Sequence, residues 1–307
     1  MRENRSEEMQ AQSASLMRRA TYAAVAVACI LIGVKTVAFW MTGSVAMLGT
    51  LLDSLLDGSA SLVNLVAVRH ALTPADREHR FGHGKAEALA GLGQSIFIFA
   101  SAAYISVEAI SRFIDPHTVQ NSGVGIAVTI FAIVLTLALV AYQKKVVDAT
   151  NSLAIAADSI HYRGDLLMNL SVMVALILTG IVGIQWVDPV LGLLIAGLIA
   201  RSAWTIVRNS YDQLMDRELS VEERERIRAI ALSHNEVINL HDLRTRSAGT
   251  GIFIQFHLEM EPTISLMKAH QISDDVEAEL MKAFPTAEIL IHQDPAGLET
   301  LTRLERV

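Results

Sequence analysis

Residues 121–142, NSGVGIAVTIFAIVLTLALVAY, form an unbroken apolar run without a charged side chain. About 20 such residues span the hydrocarbon core of a bilayer as one helix, at a rise of 1.5 Å per residue. Five further apolar segments lie on either side of this run, at 20–41, 44–68, 87–110, 150–180 and 187–208. We therefore predict an α-helical membrane bundle of six transmembrane helices, because soluble cores rarely contain runs of this length.

The composition favours a membrane protein that carries a soluble part. Hydrophobic residues make up 52% of the 307 residues and charged residues only 19%, whereas soluble domains carry about 25% charged residues. The high hydrophobicity excludes an intrinsically disordered chain, and the single cysteine excludes a disulfide scaffold. The net charge of −7 gives no indication of nucleic-acid binding.

The charge is unevenly distributed along the chain and indicates its domain organisation. Residues 211–307 hold 10 Lys or Arg and 18 Asp or Glu, so this last third is the acidic part. We predict that it folds as a separate soluble domain. We predict a polar N-terminal arm at 1–19, a six-helix transmembrane domain at 20–210 and the acidic domain at 211–307.

The acidic domain has the pattern of a small α+β fold. Residues 220–234 are predicted to be helical, with Ser220 as N-cap and Glu223 in the capping-box position. Alternating apolar residues predict two strands around the turn at Gly249-Thr250-Gly251. The predicted order is αββαβ, with both helices on one face of the sheet. The predicted strands are Val237–Arg246, Gly251–Glu261 and Glu288–His292, and the second predicted helix is Ser265–Phe284.

Positive charges orient the bundle in the membrane. The N-terminal arm and the loops after the second and fourth segments are basic, whereas the other loops carry one basic residue, Arg112. Loops rich in Lys and Arg stay on the cytoplasmic side. Both termini and the acidic domain are therefore predicted to be cytoplasmic.

Four ionisable residues lie in the middle of predicted spans, where such residues are costly and usually functional. Asp53 and Asp57 share one face of the second helix at i,i+4, and His161 and Asp165 do the same on the fifth. Three carboxylates in a low dielectric need a cation in order to stay ionised together. One nitrogen and three oxygen ligands suit tetrahedral Zn²⁺, so we interpret these four residues as a metal site. The alternatives are hydrogen-bonded networks that hold helices together, or a proton relay without metal.

Two further charged residues lie near this set without joining it. Asp158 shares the stripe of His161 and Asp165, and we expect it to face water at the cytoplasmic mouth of the bundle. Lys35 in the first segment is expected to reach toward the membrane surface or to pair with a carboxylate.

The loop after the second segment holds a second candidate metal site. Asp76, His79 and His83 lie within eight residues, and the two histidines would face one ion if this segment were helical. His70 lies nearby but is left out of the set. The alternative is a solvated basic loop.

Histidines of the acidic domain form a third candidate set. His257 lies on the polar face of the second strand, and His292 and Asp294 share one side of an extended chain. His241 is in the first strand, and His270 lies off the apolar stripe of the helix, whereas His234 fits no such pattern. A polar sheet face without metal is the alternative.

Together these motifs resemble the cation diffusion facilitator family. The resemblance covers nearly the whole chain after the arm and rests on DxxxD in the second helix, HxxxD in the fifth and Phe81-Gly82-His83-Gly84-Lys85 in the loop. It implies an obligate homodimer in the bacterial inner membrane that exports Zn²⁺ in exchange for protons. In this family, a histidine in the transport site, as at His161, accompanies a preference for zinc and cadmium, whereas Asp or Asn at that position often accompanies a preference for manganese.

The resemblance also implies roles for individual residues. The transport site would consist of Asp53, Asp57, His161 and Asp165, and a second zinc would bind at Asp76, His79 and His83. A metallochaperone-like cytoplasmic domain would hold two zinc ions, bridged by Asp294 and with Gln293 as a weak contributor; the ligands would be His241, His257, His270, His292 and Asp294. Lys85 and Asp216 would interlock at the dimer interface.

Three other function classes fit the sequence less well. A zinc-dependent membrane protease would need HExxH or a comparable base beside an open metal site, and the sequence has none. A zinc-regulated cation channel conflicts with a closed four-ligand cage, which binds ions too tightly for fast conduction. A zinc-sensing scaffold leaves the mid-membrane ligands unexplained. Fe²⁺, Cd²⁺ and Co²⁺ stay open as main substrates of an exporter.

Overall fold

The computed structural model describes residues 2–43, 45–114, 123–182 and 186–297. Ser13–Tyr211 forms one compact unit, and the residues from Asp212 onward belong to another. Parts of the predicted arm, segments and tail at 1, 44, 121–122 and 298–307 lie outside the described residues. The fold class is the predicted one, a helical transmembrane domain followed by a small α+β domain.

Six long helices account for the six predicted segments. Each helix extends beyond its apolar core, and α1 also includes the polar residues that precede its apolar segment. Their bounds are α1 Arg2–Thr42, α2 Val45–Ala71, α3 Lys85–Ile114, α4 Gly123–Thr150, α5 Leu153–Val182 and α6 Val187–Leu214. Among the described residues, α1–α4 and α6 are long and apolar enough to cross a membrane. α5 is equally long, and its first half carries Asp158, Arg163 and Asp165.

Small residues allow the helices of the bundle to approach closely, as is common in membranes. Ala24 of α1, Ala132 of α4 and the ring of Tyr162 of α5 lie in one buried cluster. A separate cluster joins α3 to α6 through Ala102 and Ala203. A side chain at Gly164 would lie 2.9 Å from Ile199, so α5 can contact α6 at this depth only because Gly164 lacks one.

The acidic domain has the predicted order αββαβ. α7 (Val221–Leu232) begins with the predicted capping box of Ser220 and Glu223. In the three-stranded sheet, β1 (Val237–Ala248) pairs antiparallel with β2 (Gly251–Met260), and β2 pairs parallel with β3 (Ala287–Pro295). α8 (Leu266–Ala283) connects the two parallel strands.

One face of the sheet carries the hydrophobic core of this domain. Ile254, Phe256 and Leu258 alternate along β2 and pack with Ile227 of α7 and Ile272 of α8. Both helices therefore cover the same face, as predicted. The β2 residues that alternate with Ile254, Phe256 and Leu258 point to the opposite face of the sheet, which is therefore available for polar side chains.

A buried polar network joins four helices of the bundle. Gln143 of α4 donates a hydrogen bond from Nε2 to Asp158 Oδ2 at 2.7 Å. The hydroxyl oxygens of Ser61 on α2 and Tyr162 on α5 are 2.8 Å apart, and the Tyr162 oxygen lies 3.4 Å from the carbonyl oxygen of Ala24 on α1. Ser61 completes the network by donating to Asp158 Oδ1 at 3.5 Å.

This network corrects the expectation for Asp158. Its side chain is fully buried and does not face water at the mouth of the bundle. An isolated carboxylate would be costly at such a place, and the hydrogen bonds from Gln143 and Ser61 offset part of that cost. The residue therefore ties α5 to α4 and α2.

We predict that Tyr162→Phe destabilises the bundle by about 1 kcal/mol, because Ser61 loses its closest partner while the aromatic packing is retained. Thermal unfolding of the detergent-solubilised protein measures this effect. Tyr142→Phe is the matched control, because Tyr142 of α4 packs against a separate buried cluster that includes Val68 and Ile155. Equal melting temperatures for the two variants would contradict a structural role of the network.

Candidate metal centres

The first candidate centre joins α2 to α5 within the bundle. His161 Nε2 lies 3.0 Å from Asp57 Oδ1 and 3.8 Å from Asp165 Oδ2. His161 is buried, whereas Asp57 and Asp165 are half-buried. The i,i+4 spacing on α5 places His161 and Asp165 on one face, and the contact with Asp57 comes from the neighbouring helix.

The spacing of these atoms suits a small divalent ion. In a tetrahedral zinc site with bonds of about 2.0–2.1 Å, neighbouring ligand atoms are about 3.4 Å apart. The two measured distances lie on either side of this value. Small side-chain movements would therefore bring one imidazole and two carboxylates onto a common ion.

The fourth expected ligand of this centre, Asp53, does not join the cluster. It lies one turn before Asp57 on α2, and its side chain is exposed. Lys35 of α1 reaches the same part of α2, where its Nζ donates hydrogen bonds to Ser54 Oγ at 2.6 Å and to the Thr50 carbonyl at 3.0 Å. The structure thus brings three of the four predicted residues together, and the Lys35 ammonium contacts Ser54, the residue next to the fourth.

The second candidate centre lies in the loop between α2 and α3. Asp76 Oδ1 is 3.4 Å from His79 Nδ1, and Asp76 Oδ2 is 3.5 Å from His83 Nε2. All three predicted residues are therefore together. The segment is a turn and not the helix that was considered from the sequence, and Gly82, with a φ of 75°, provides the left-handed conformation that it requires.

Asp76 organises this loop through its own backbone. Asp76 Oδ1 accepts hydrogen bonds from the backbone N–H groups of His79 at 2.6 Å and Glu78 at 2.9 Å. These bonds, first of all that from His79, hold the pKa of the Asp76 carboxyl below its ordinary value. The carboxylate is consequently ionised, as a metal ligand must be.

The third candidate centre lies on the uncovered face of the sheet. His257 Nδ1 is 2.6 Å from Asp294 Oδ2, and His241 Nε2 is 3.6 Å from the same oxygen. His292 Nε2 is 3.2 Å from the other oxygen, Asp294 Oδ1. The strand register explains this arrangement, because His241 is paired with His257, and His257 with His292.

Three further predicted residues of this domain lie apart from that cluster. His270 is exposed on α8, with Nδ1 3.5 Å from Asp274. Gln293 donates from Nε2 to Ser273 Oγ at 2.9 Å, so its amide faces α8 and not the histidines. His234 lies 3.8 Å from Asp275, and it was not expected to bind metal.

Two acidic residues at the same site were missed from the sequence. Glu259 Oε1 lies 3.0 Å from His241 Nδ1, and Asp242 Oδ2 lies 3.8 Å from His257 Nε2. Glu259 follows His257 by two positions on β2, so strand alternation could have identified it. Asp242 has a φ of 49° at an irregularity in the β1–β2 register, which no sequence pattern indicated.

The predicted interlock partners belong to separate units of the chain. Lys85 is the first residue of α3. Asp216 follows α6, has a φ of 54°, and lies 3.5 Å from Arg246 through Oδ1. Their pairing stays a prediction.

Comparisons with known proteins agree with this architecture. The description "Cation efflux transmembrane domain" matches residues 21–215, and "Cation efflux protein, cytoplasmic domain" matches residues 219–296. The cation-efflux pump FieF of Shewanella oneidensis is 45% identical over 287 residues, which cover 94% of this chain and 97% of that protein. FieF of Serratia proteamaculans is 45% identical over 290 residues, with coverages of 94% and 96%.

A solved structure described as the zinc form of CzrB is 37% identical and covers 28% of this chain and 98% of its own, with a TM-score of 0.26. The two domain matches follow each other in the order that the structure shows, and the two FieF relatives align over nearly the full chain. The predicted absence of enzymatic activity is confirmed with the family. The chain belongs to the cation diffusion facilitator family, whose members are divalent cation transporters and not enzymes.

Proposed function

We propose that this transporter exports Zn²⁺ from the bacterial cytoplasm in exchange for protons. The observation that carries the proposal is the position of His161, which lies between Asp57 and Asp165 at the contact of α2 with α5. Ionisable groups inside a membrane bundle commonly mark an ion pathway. The mixed nitrogen and oxygen donors favour zinc over Mg²⁺ and Ca²⁺, which prefer oxygen ligands.

The proposed cycle is alternating access around this centre. Cytosolic Zn²⁺ binds deprotonated Asp57, His161 and Asp165, and Asp53 joins them as the fourth ligand. The bundle then opens outward, where protons compete with the metal for the same atoms and lower its affinity. The protonated centre returns, and each cycle exchanges metal for protons because the two cannot occupy the same ligands together.

In the proposed cycle, Lys35 supplies positive charge next to the carboxylates while no metal is bound. The ammonium group of Lys35 on α1 contacts Thr50 and Ser54 of α2. Ser54 is the residue next to Asp53, so this positive charge partly neutralises the carboxylates of the centre. A divalent ion would displace that positive charge from the carboxylates. We therefore infer that Asp53 enters the ligand set as zinc binds.

The proposal extends to the other two centres and to the assembly. The protein forms a homodimer in the inner membrane, with both termini in the cytoplasm and domain limits at 1–19, 20–210 and 211–307. Zinc at the sheet cluster offsets repulsion between two acidic domains and couples metal occupancy to dimer geometry. Zinc at the loop cluster is structural or regulatory. His270 completes the sheet site only if the α8 side chain changes position.

We expect Asp57→Ala to reduce zinc flux into inverted proteoliposomes by about tenfold or more, because it removes a ligand from the transport centre only. Zinc binding by the cytoplasmic domain should be unchanged in isothermal titration. The reciprocal variant, His257→Ala, should lose binding in that domain while it retains a transport centre that binds zinc. Normal flux in Asp57→Ala would contradict the assigned centre.

We expect zinc flux to rise when the opposite compartment is made more acidic, since protons there release zinc from His161 and the carboxylates. The measurement is zinc uptake into proteoliposomes with an imposed pH gradient, repeated with Fe²⁺, Cd²⁺ and Co²⁺. Flux that ignores the gradient excludes antiport. Fast flux that does not saturate with concentration indicates a channel, and a preference for another ion corrects the assignment of zinc.

We expect Lys85→Glu to weaken the homodimer, because the proposed pairing with Asp216 becomes a repulsion. Adding Asp216→Lys to this variant should restore the pair with opposite polarity. Light scattering during size-exclusion chromatography in detergent measures the dimer fraction. Lys144→Glu, at an exposed position of α4, is the charge-matched control, and equal dimer fractions in all variants would rule out the interlock.

A further inference from the structure

His70, in the last turn of α2, contacts the loop cluster but has no part in the function proposed above. Its ring centroid is 4.8 Å from that of His83, and the two rings are inclined at 64°. His79 lies against the same ring, with centroids 4.5 Å apart. His83 is therefore packed between one predicted ligand and one histidine outside the predicted set.

Local backbone bonds hold the two histidines together. Thr73 donates its N–H to the carbonyl oxygen of His70 at 3.0 Å, which closes the end of α2. The carbonyl oxygen of Thr73 then lies 3.3 Å from His83 Nδ1. This contact leaves His83 Nε2 on the side of Asp76, so the three expected ligand atoms converge next to the end of α2.

The chemistry of the cluster leaves one coordination position available. Asp76, His79 and His83 offer one carboxylate and two imidazoles, whereas structural zinc sites have four protein ligands. His70 is exposed and lies at the end of a helix, so its side chain can rotate without disturbing a packed core. Neutral imidazole is also a common zinc ligand at neutral pH.

We propose that His70 is the fourth protein ligand of the loop metal site. This inference rests on the proposed loop site and adds to it a residue from a different structural element. An ion held by Asp76, His79, His83 and His70 would connect the end of α2 to the turn that precedes α3. The site would then be a closed structural centre that exchanges zinc slowly, and not an open site with a bound water.

A ring contact without coordination is the competing explanation for the position of His70. His70→Phe separates the two, because phenylalanine keeps an aromatic ring beside His83 but has no ligand atom. His70→Cys tests the same position in the opposite sense, since a thiolate can bind the ion where a ring cannot. His234→Phe is the matched control, because it removes a histidine outside the three described clusters.

The experiment uses the full chain with Asp57→Ala and His257→Ala, which weaken the other two centres, and Co²⁺ as a spectroscopic probe. We expect His70→Phe to lower Co²⁺ affinity at the loop at least about tenfold and to reduce the visible absorption typical of tetrahedral cobalt. We expect His70→Cys to recover affinity and to add a thiolate-to-cobalt charge-transfer band, which only a ligand at this position can produce.

One result would contradict the role of His70, and a different result would contradict the loop metal site itself. Unchanged affinity and spectrum in His70→Phe, together with no charge-transfer band in His70→Cys, would show that His70 is only a neighbouring ring. Unchanged cobalt binding at the loop in His79→Ala would contradict the loop site itself, and with it the proposal on which this inference rests. Thermal unfolding of each metal-free variant confirms that a loss of binding is not a loss of fold.

Discussion

The contact between His161 and Asp57 is the interaction on which the membrane domain depends. It places an imidazole and a carboxylate from two helices 3.0 Å apart inside the bundle, where neither group would be stable alone. Asp165 lies on the same face of α5, so two carboxylates and one imidazole meet at this contact. The rest of the bundle can be understood as the frame that keeps α2 and α5 at matching depth.

The polar network on the same two helices supplies part of that frame. Tyr162 is the chain neighbour of His161, and Ser61 lies one turn after Asp57, so the hydroxyl pair lies beside the candidate metal centre. Hydrogen bonds between membrane helices are individually modest, and several must act together with close packing. Gly164 allows that packing against α6, and it lies within one turn of the candidate ligands His161 and Asp165 on α5.

Sequence reasoning predicted what depends on local spacing and missed what depends on tertiary geometry. The i,i+4 pair of His161 and Asp165, the capping box of Ser220 and the polar face around His257 all follow from helix or strand periodicity. The exclusion of Asp53 from the cluster, the burial of Asp158 and the turn built by Asp76 do not. Each of them depends on a neighbouring helix or on a backbone conformation that no periodicity encodes.

The histidines of the sheet occupy equivalent positions on three adjacent strands, one beside the next. Because side chains alternate between the two faces of a sheet, moving one strand by a single residue would turn its histidine into the hydrophobic core. The histidines can therefore meet at one point only when β1, β2 and β3 are all in the correct register. An ion bound at this candidate centre would stabilise only the correctly aligned sheet, because a ligand that binds one state alone shifts the folding equilibrium toward it.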